Sequence, residues 1–175
     1  MSHKTLESNL WSWYQVGTRR FRSLGLHHTR VENGVASGTP DYEGCFRGHS
    51  WWSELKSSPR PRHKTDPVVI DWRPGQQAWL YHRSRCGGRA YLFLQVGSGA
   101  KACRYLIPGR HAPFTDGLPE QDLAVLSLVN PKAKPPEFLF ASAGLHPGGG
   151  ESPWVPDVDR TPLEKKKIAP KSQSR

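Results

Sequence analysis

Cysteine is scarce in this chain, and other marks of an extracellular or membrane protein are missing with it. The 175 residues include three cysteines, Cys45, Cys86 and Cys103. An odd number of cysteines with no secretory leader does not read as a disulfide framework. None of the three asparagines, Asn9, Asn33 and Asn130, begins an N-x-S/T acceptor. The longest apolar runs, Leu123 to Val129 and Phe138 to Leu145, fall far short of the ~20 residues that a membrane-spanning helix needs. There are only three isoleucines and one methionine, and hydrophobic residues make up 35%. With a mean hydropathy of -0.67, this is poor material for a core that fills the whole chain. A core drawn from roughly a third to a half of the residues is the expectation.

Familiar catalytic signatures are also missing. There is no G-x-S-x-G, no H-E-x-x-H and no cysteine–histidine pair in a known local context. Gly97-Ser98-Gly99 opens like a phosphate loop, but Ala102 stands where a third glycine is required, so it reads as a hairpin turn. A zinc ribbon presents two C-x-x-C knuckles to one ion. Arg83 stands three residues before Cys86, and Leu106 three after Cys103, so each knuckle lacks half its ligands. His82 and His111 would complete only an unusual set. Both thiols read instead as small residues of a sheet. Glu54 near Trp52 and Asp71 beside Trp72 are carboxylates that a core edge would perturb, which is true of any acid so placed. The expectation is therefore a protein that is not an enzyme, with no cofactor and no metal.

What is abundant points to surface and turn chemistry. The chain has 17 glycines, 16 prolines and seven tryptophans. The glycine and proline content approaches the level (about 25% or more) at which low-complexity character is expected. Residue types with GC-rich codons dominate, in keeping with a lineage-restricted reading frame or a GC-rich genome. The formal net charge is +10 and the pI about 9.9. Such a charge favours acidic partners, nucleic acid first among them, with acidic proteins as the alternative.

Four segments follow along the chain. Residues 1–24 read as an amphipathic helix and a basic segment. Thr5 is its cap, Leu6, Leu10, Trp13 and Tyr14 recur at helical spacing, Gly17 ends the pattern, and Arg19, Arg20 and Arg22 follow. This start also resembles a mitochondrial presequence. Residues 25–65 read as an irregular Gly/Pro-rich linker, with one hairpin around Asn33-Gly34. Residues 66–146 read as a small α+β domain. Its strands are Val68 to Trp72, Gln77 to Arg83, Ala90 to Val96 and Lys101 to Ile107, joined by short turns into a three- to four-stranded antiparallel β-meander. A helix over Pro119 to Val129 covers it, and Phe138 to Phe140 is a short edge strand. Residues 147–175, with Lys165, Lys166 and Lys167, read as a disordered basic tail. The fold expected is a small antiparallel meander with one or two covering helices, flanked by largely irregular segments.

Basic residues interleave with aromatics in the central stretch. Arg83, Arg85, Arg89, Lys101 and Arg104 lie among Trp79, Tyr81, Tyr91, Phe93 and Tyr105. On one face of a sheet, such aromatics stack bases while the cations follow phosphates. Equally, the aromatics are core and the edge arginines prevent strand-to-strand aggregation. The function expected is a non-enzymatic basic interaction protein that binds RNA, DNA or an acidic protein, placed in the nucleus or cytoplasm, with mitochondria as an alternative. The competing expectation is a poorly structured product with no defined activity.

Overall fold

The computed structural model describes residues 3–31 and 38–145. The hairpin around Asn33-Gly34 and the basic tail lie outside the described residues.

At the centre is a five-stranded sheet. Its strands are β1 (His27–Arg30), β2 (Tyr42–Phe46), β3 (His49–Ser58), β4 (Ala90–Val96) and β5 (Cys103–Pro108), in the spatial order β1-β2-β3-β4-β5. β1, β2 and β3 pair antiparallel, β3 and β4 run parallel, and β4 and β5 are antiparallel again. The sheet is therefore mixed, which corrects the expected antiparallel meander. A parallel pair cannot be closed by a tight turn and needs a long crossover, usually helical. Here the crossover is the stretch between Ser58 and Ala90, which holds α2 (Gln76–Arg85). Gln77 to Arg83, expected as a strand, is thus a helix. Its two-residue alternation is too short to tell strand from helix. Gln, Ala, Leu and Arg are good helix formers, and Leu80 and Gln76, one turn apart, are both buried. Val68 to Trp72 forms no strand of the sheet; Pro67 before it bridges to Pro119 at the start of α3, and Val68 and Ile70 are buried in the core beneath α2 and α3.

Residues 25–65, expected to be irregular, carry three of the five strands. β3 has almost no β-branched or aliphatic residues, so its propensity is weak. Its burial comes from tertiary context, with everything from Ser53 to Ser58 inside. The β2–β3 hairpin closes through Arg47 (φ 51) and Gly48 (φ 80), the two positive φ values that a two-residue turn needs to match strand twist.

Helices cover both faces. α1 (His3–Thr18) and α4 (Pro135–Ala143) pack on one side against Trp51, Leu55, Tyr91 and Phe93. Phe93 stacks on Phe138 with centroids 4.9 Å apart. α2 and α3 (Glu120–Leu126) pack on the other side against Leu92, Leu94, Tyr105 and Ile107. α4 replaces the expected edge strand at Phe138 to Phe140. Pro135 and Pro136 open it, the Glu137 carboxylate accepts the Lys134 amide at 3.0 Å, and Gly144 closes it in the left-handed region. Gly17 does not end α1. It lies where α1 meets α4, and a Cβ there would overlap the Pro135 ring. The helix near Pro119 is present but stops at Leu126, and Leu128 then donates its amide to the Leu106 carbonyl at the outer edge of β5.

Candidate active site

Strand β3 changes partners midway. It pairs with β2 from His49 to Ser53 and with β4 from Trp52 to Ser58. Beyond Ser53 its β2 side has no ladder partner, and the next free amide is that of Leu55. The Asp41 carboxylate, just before β2, takes that amide at 2.9 Å. Asp41 therefore sits where the strands part, held by the backbone it replaces.

Glu54 and Lys56 flank Leu55 on β3. Being two residues apart, they point to the same face, that of α2. Both are buried. Lys56 Nζ lies 3.0 Å from Glu54 Oε1, and Gln76 at the start of α2 donates to the same oxygen through Nε2. Gln76 Oε1 in turn accepts the Arg73 amide at 2.9 Å. One oxygen of Glu54 is thus doubly fixed. The other, Oε2, is buried and has no hydrogen-bond partner among the described residues. Burial, reinforced by the Asp41 charge, pushes the Glu54 carboxyl up to about 8. Glu7, near the start of α1, is within electrostatic reach of Lys56, Asp41, Arg73 and Arg30. Burial raises its carboxyl above the ordinary range. Lys56 also stands 5.8 Å from the centre of the Trp72 ring, whose indole N–H has no partner among the described residues.

The connection from β3 to α2 brings Trp72, Arg73 and Gln76 back to this point. Arg60 anchors its departure. It pairs with Glu120 at 3.2 Å and donates to the Lys101 carbonyl at 3.0 Å and to Cys103 Sγ at 3.2 Å.

The donor set has the character of a hard-cation site. Among the described residues, no group of three or more His, Cys, Asp or Glu side chains is gathered for a metal. That argues against zinc, which takes three or four such protein ligands. Magnesium is satisfied by one or two carboxylates, substrate phosphate oxygens and water. The free Oε2 of Glu54 and the carboxylate of Asp41, which lies within electrostatic reach of it, are the two groups that could meet that smaller requirement.

The five basic residues expected at a nucleic-acid surface are not gathered in one place. Arg83 and Arg85 are exposed on α2, Arg85 5.9 Å from the Tyr81 ring. Arg89 is half-buried beside Gly144. Lys101 is exposed in the turn between β4 and β5. Arg104 lies on the other face of the sheet, 4.1 Å over the Trp13 ring. Tyr91, Phe93 and Tyr105 are core residues. The three cysteines are free thiols, Cys86 exposed after α2 and Cys103 buried in β5.

No family model and no curated protein matches the chain. Among solved structures, it is similar to the Holliday junction resolvase Hjc of Archaeoglobus fulgidus. Identity is 17%, with 65% of this chain and 98% of that chain covered and a TM-score of 0.36. The expectation that the chain is not an enzyme is corrected: the similar structure is that of a resolvase; in this chain Glu54, Lys56 and Gln76 form a buried polar cluster with a carboxylate oxygen that has no partner among the described residues, and Asp41 is half-buried within electrostatic reach. The described residues also share an extensive core on both sides of the sheet, unlike the poorly structured chain of the competing expectation. No helix among them is long and apolar enough to cross a membrane.

Proposed function

We propose that this chain is a divalent-metal-dependent phosphodiester hydrolase acting on DNA. The observation that carries the reading is Glu54: one carboxylate oxygen held by Lys56 and Gln76, the other buried and without a partner among the described residues, with Asp41 within electrostatic reach. Burying such a group without a complete set of partners costs stability, and unsatisfied, perturbed carboxylates cluster at functional sites.

Asp41 and Glu54 would hold the cation. When bound, it supplies charge stabilisation at the phosphate and lowers the pKa of a water. Gln76 keeps Glu54 Oε1 turned toward Lys56, so Oε2 stays available. Lys56 places a positive charge where the phosphate gains negative charge as water attacks. In that attack a water oxygen bonds to phosphorus, the P–O bond to the sugar breaks, and a proton from the water ends on the leaving oxygen. With an external water as the proposed nucleophile, no ribose 2′-hydroxyl is needed, and DNA, which lacks it, is an adequate substrate. The +10 charge of the chain favours a polyanion, and Arg83, Arg85, Arg89, Lys101 and Arg104 are proposed as contributors to that attraction rather than as one contact face.

The test is cleavage of fluorescent DNA oligonucleotides and supercoiled plasmid in Mg2+ or Mn2+. Wild type should cleave, chelation should abolish cleavage, and Glu54→Gln or Asp41→Asn should reduce the rate at least ~100-fold, the scale on which removing one transition-state group acts. Equal rates in wild type and Glu54→Gln would overturn the reading.

A further inference from the structure

The face of the sheet that carries Glu54 and Lys56 is only half covered. α2 and α3 lie over β4 and β5. On the β1–β2 half, the register places Thr29, Glu43 and Trp52 in one row and His27, Cys45 and Ser50 in the next. Thr29, His27 and Ser50 are exposed, and Glu43, Cys45 and Trp52 are half-buried. No helix among the described residues covers them.

Trp52 is the unusual residue of that floor. It belongs to neither apolar core. Its ring meets Trp79 of α2, with centroids 5.5 Å apart and planes at 58°. Trp79 is itself half-buried, leaning on the second core from its margin. Two large aromatics therefore form a part-exposed wall between the bare strands and α2. Along β3, Trp52 and Glu54 are two residues apart on one face, about 6.8 Å, comparable to one step of an extended nucleotide strand. The wall has cations around it. Arg73 precedes α2, and Arg83 and Arg85 end it. The floor next to Trp52 is acidic, because Glu43 is its direct partner across the strands. Phosphates are thus drawn to the α2 side and repelled from the floor, which leaves a base as the group to meet the indoles.

We propose that Trp52 and Trp79 stack an unpaired base of single-stranded DNA, one nucleotide from the bond hydrolysed at the Asp41–Glu54 site. The location of that bond rests on the hydrolase reading; the stacking platform does not. In a duplex the base is held in its own stack, so the platform selects frayed, gapped or single-stranded substrates.

The test uses the full chain carrying Glu54→Gln, without divalent metal, titrated with labelled oligothymidine and with a duplex at one salt concentration. Oligothymidine should bind more tightly than the duplex. Trp52→Ala should weaken oligothymidine binding about tenfold or more and leave duplex binding unchanged. Trp52→Phe should retain most of the affinity, and Trp79→Ala, a second variant should Trp52→Ala fail to fold, should lose affinity likewise. Unchanged oligothymidine binding in folded Trp52→Ala or Trp79→Ala would overturn the proposal, as would tighter binding of oligouridine RNA than of DNA. The two readings fail separately. Trp52-dependent binding by a chain that cleaves nothing in Mg2+ leaves the platform and removes the hydrolase. Mg2+-dependent cleavage with binding indifferent to Trp52 does the reverse.

Discussion

Glu54 sets the energetics of the site at the level of single residues. Its carboxyl titrates at about 8 when folded, from an ordinary 4.5. A raised pKa means that the folded chain holds a proton which the unfolded chain has released. The resulting stabilisation is complete below about 4.5 and is lost as pH rises through about 8. His28 and His111 act at the other end. Burial lowers both from 6.5 to about 4, so their contribution is present above 6.5 and lost as pH falls through about 4. Between 6.5 and 8 Glu54 is left as the group that makes stability fall with pH, by at most about 1.4 kcal/mol per pH unit for one proton. Urea unfolding across that window should show the fall in wild type and lose it in Glu54→Gln. A flat wild-type profile, or the same slope in the variant, would mean that Glu54 is already ionised.

The same residue marks the limit of what could be read from the chain. Glu54 was visible beside Trp52, but nothing nearby distinguished it from any acid at a core edge. Its meaning comes from Asp41, Lys56 and Gln76, which are brought to it by a strand split and a crossover helix. A carboxylate and a lysine two residues apart in a strand were the available signal. They went unread because the strand itself, HSWWSELKSS, is made of serine, lysine and tryptophan rather than β-branched residues.

Among the elements, those with strong local chemistry were legible. The apolar run of β4, the β5 strand beyond its glycine turn and the α1 helix all lie close to where their residues place them. Elements fixed by tertiary contact were not. α2 alternates like a strand and is a helix because parallel β3 and β4 require a crossover. Gly17 looked like a terminator and is instead a close-packing point. Gly17→Ala puts a methyl group into the Pro135 ring across the α1–α4 contact, and overpacking of this kind costs about 1–3 kcal/mol. Alanine elsewhere in a helix interior would stabilise by up to about 1 kcal/mol relative to glycine. Thermal or urea unfolding therefore decides by sign, and a stabilised Gly17→Ala would show that α1 and α4 do not meet there.

For the whole molecule, charge and architecture serve different parts of one task. In the proposed hydrolase, a net charge of +10 would attract a polyanion from a distance, while the chemistry would be confined to the small charged cluster at the point where β2 leaves β3. The sheet is covered on both sides over β4 and on only one side over much of β1 and β2, and in the proposed reading the bare half is the side from which a substrate strand would approach. The most direct measurement is cleavage of a DNA oligonucleotide in 18O-labelled water with Mg2+, the products weighed by mass spectrometry. The account predicts one 18O atom on the new terminal phosphate, formed by wild type, lost on chelation and lost in Glu54→Gln. Absence of cleavage, or a cleaved product whose phosphate carries no label, would contradict it.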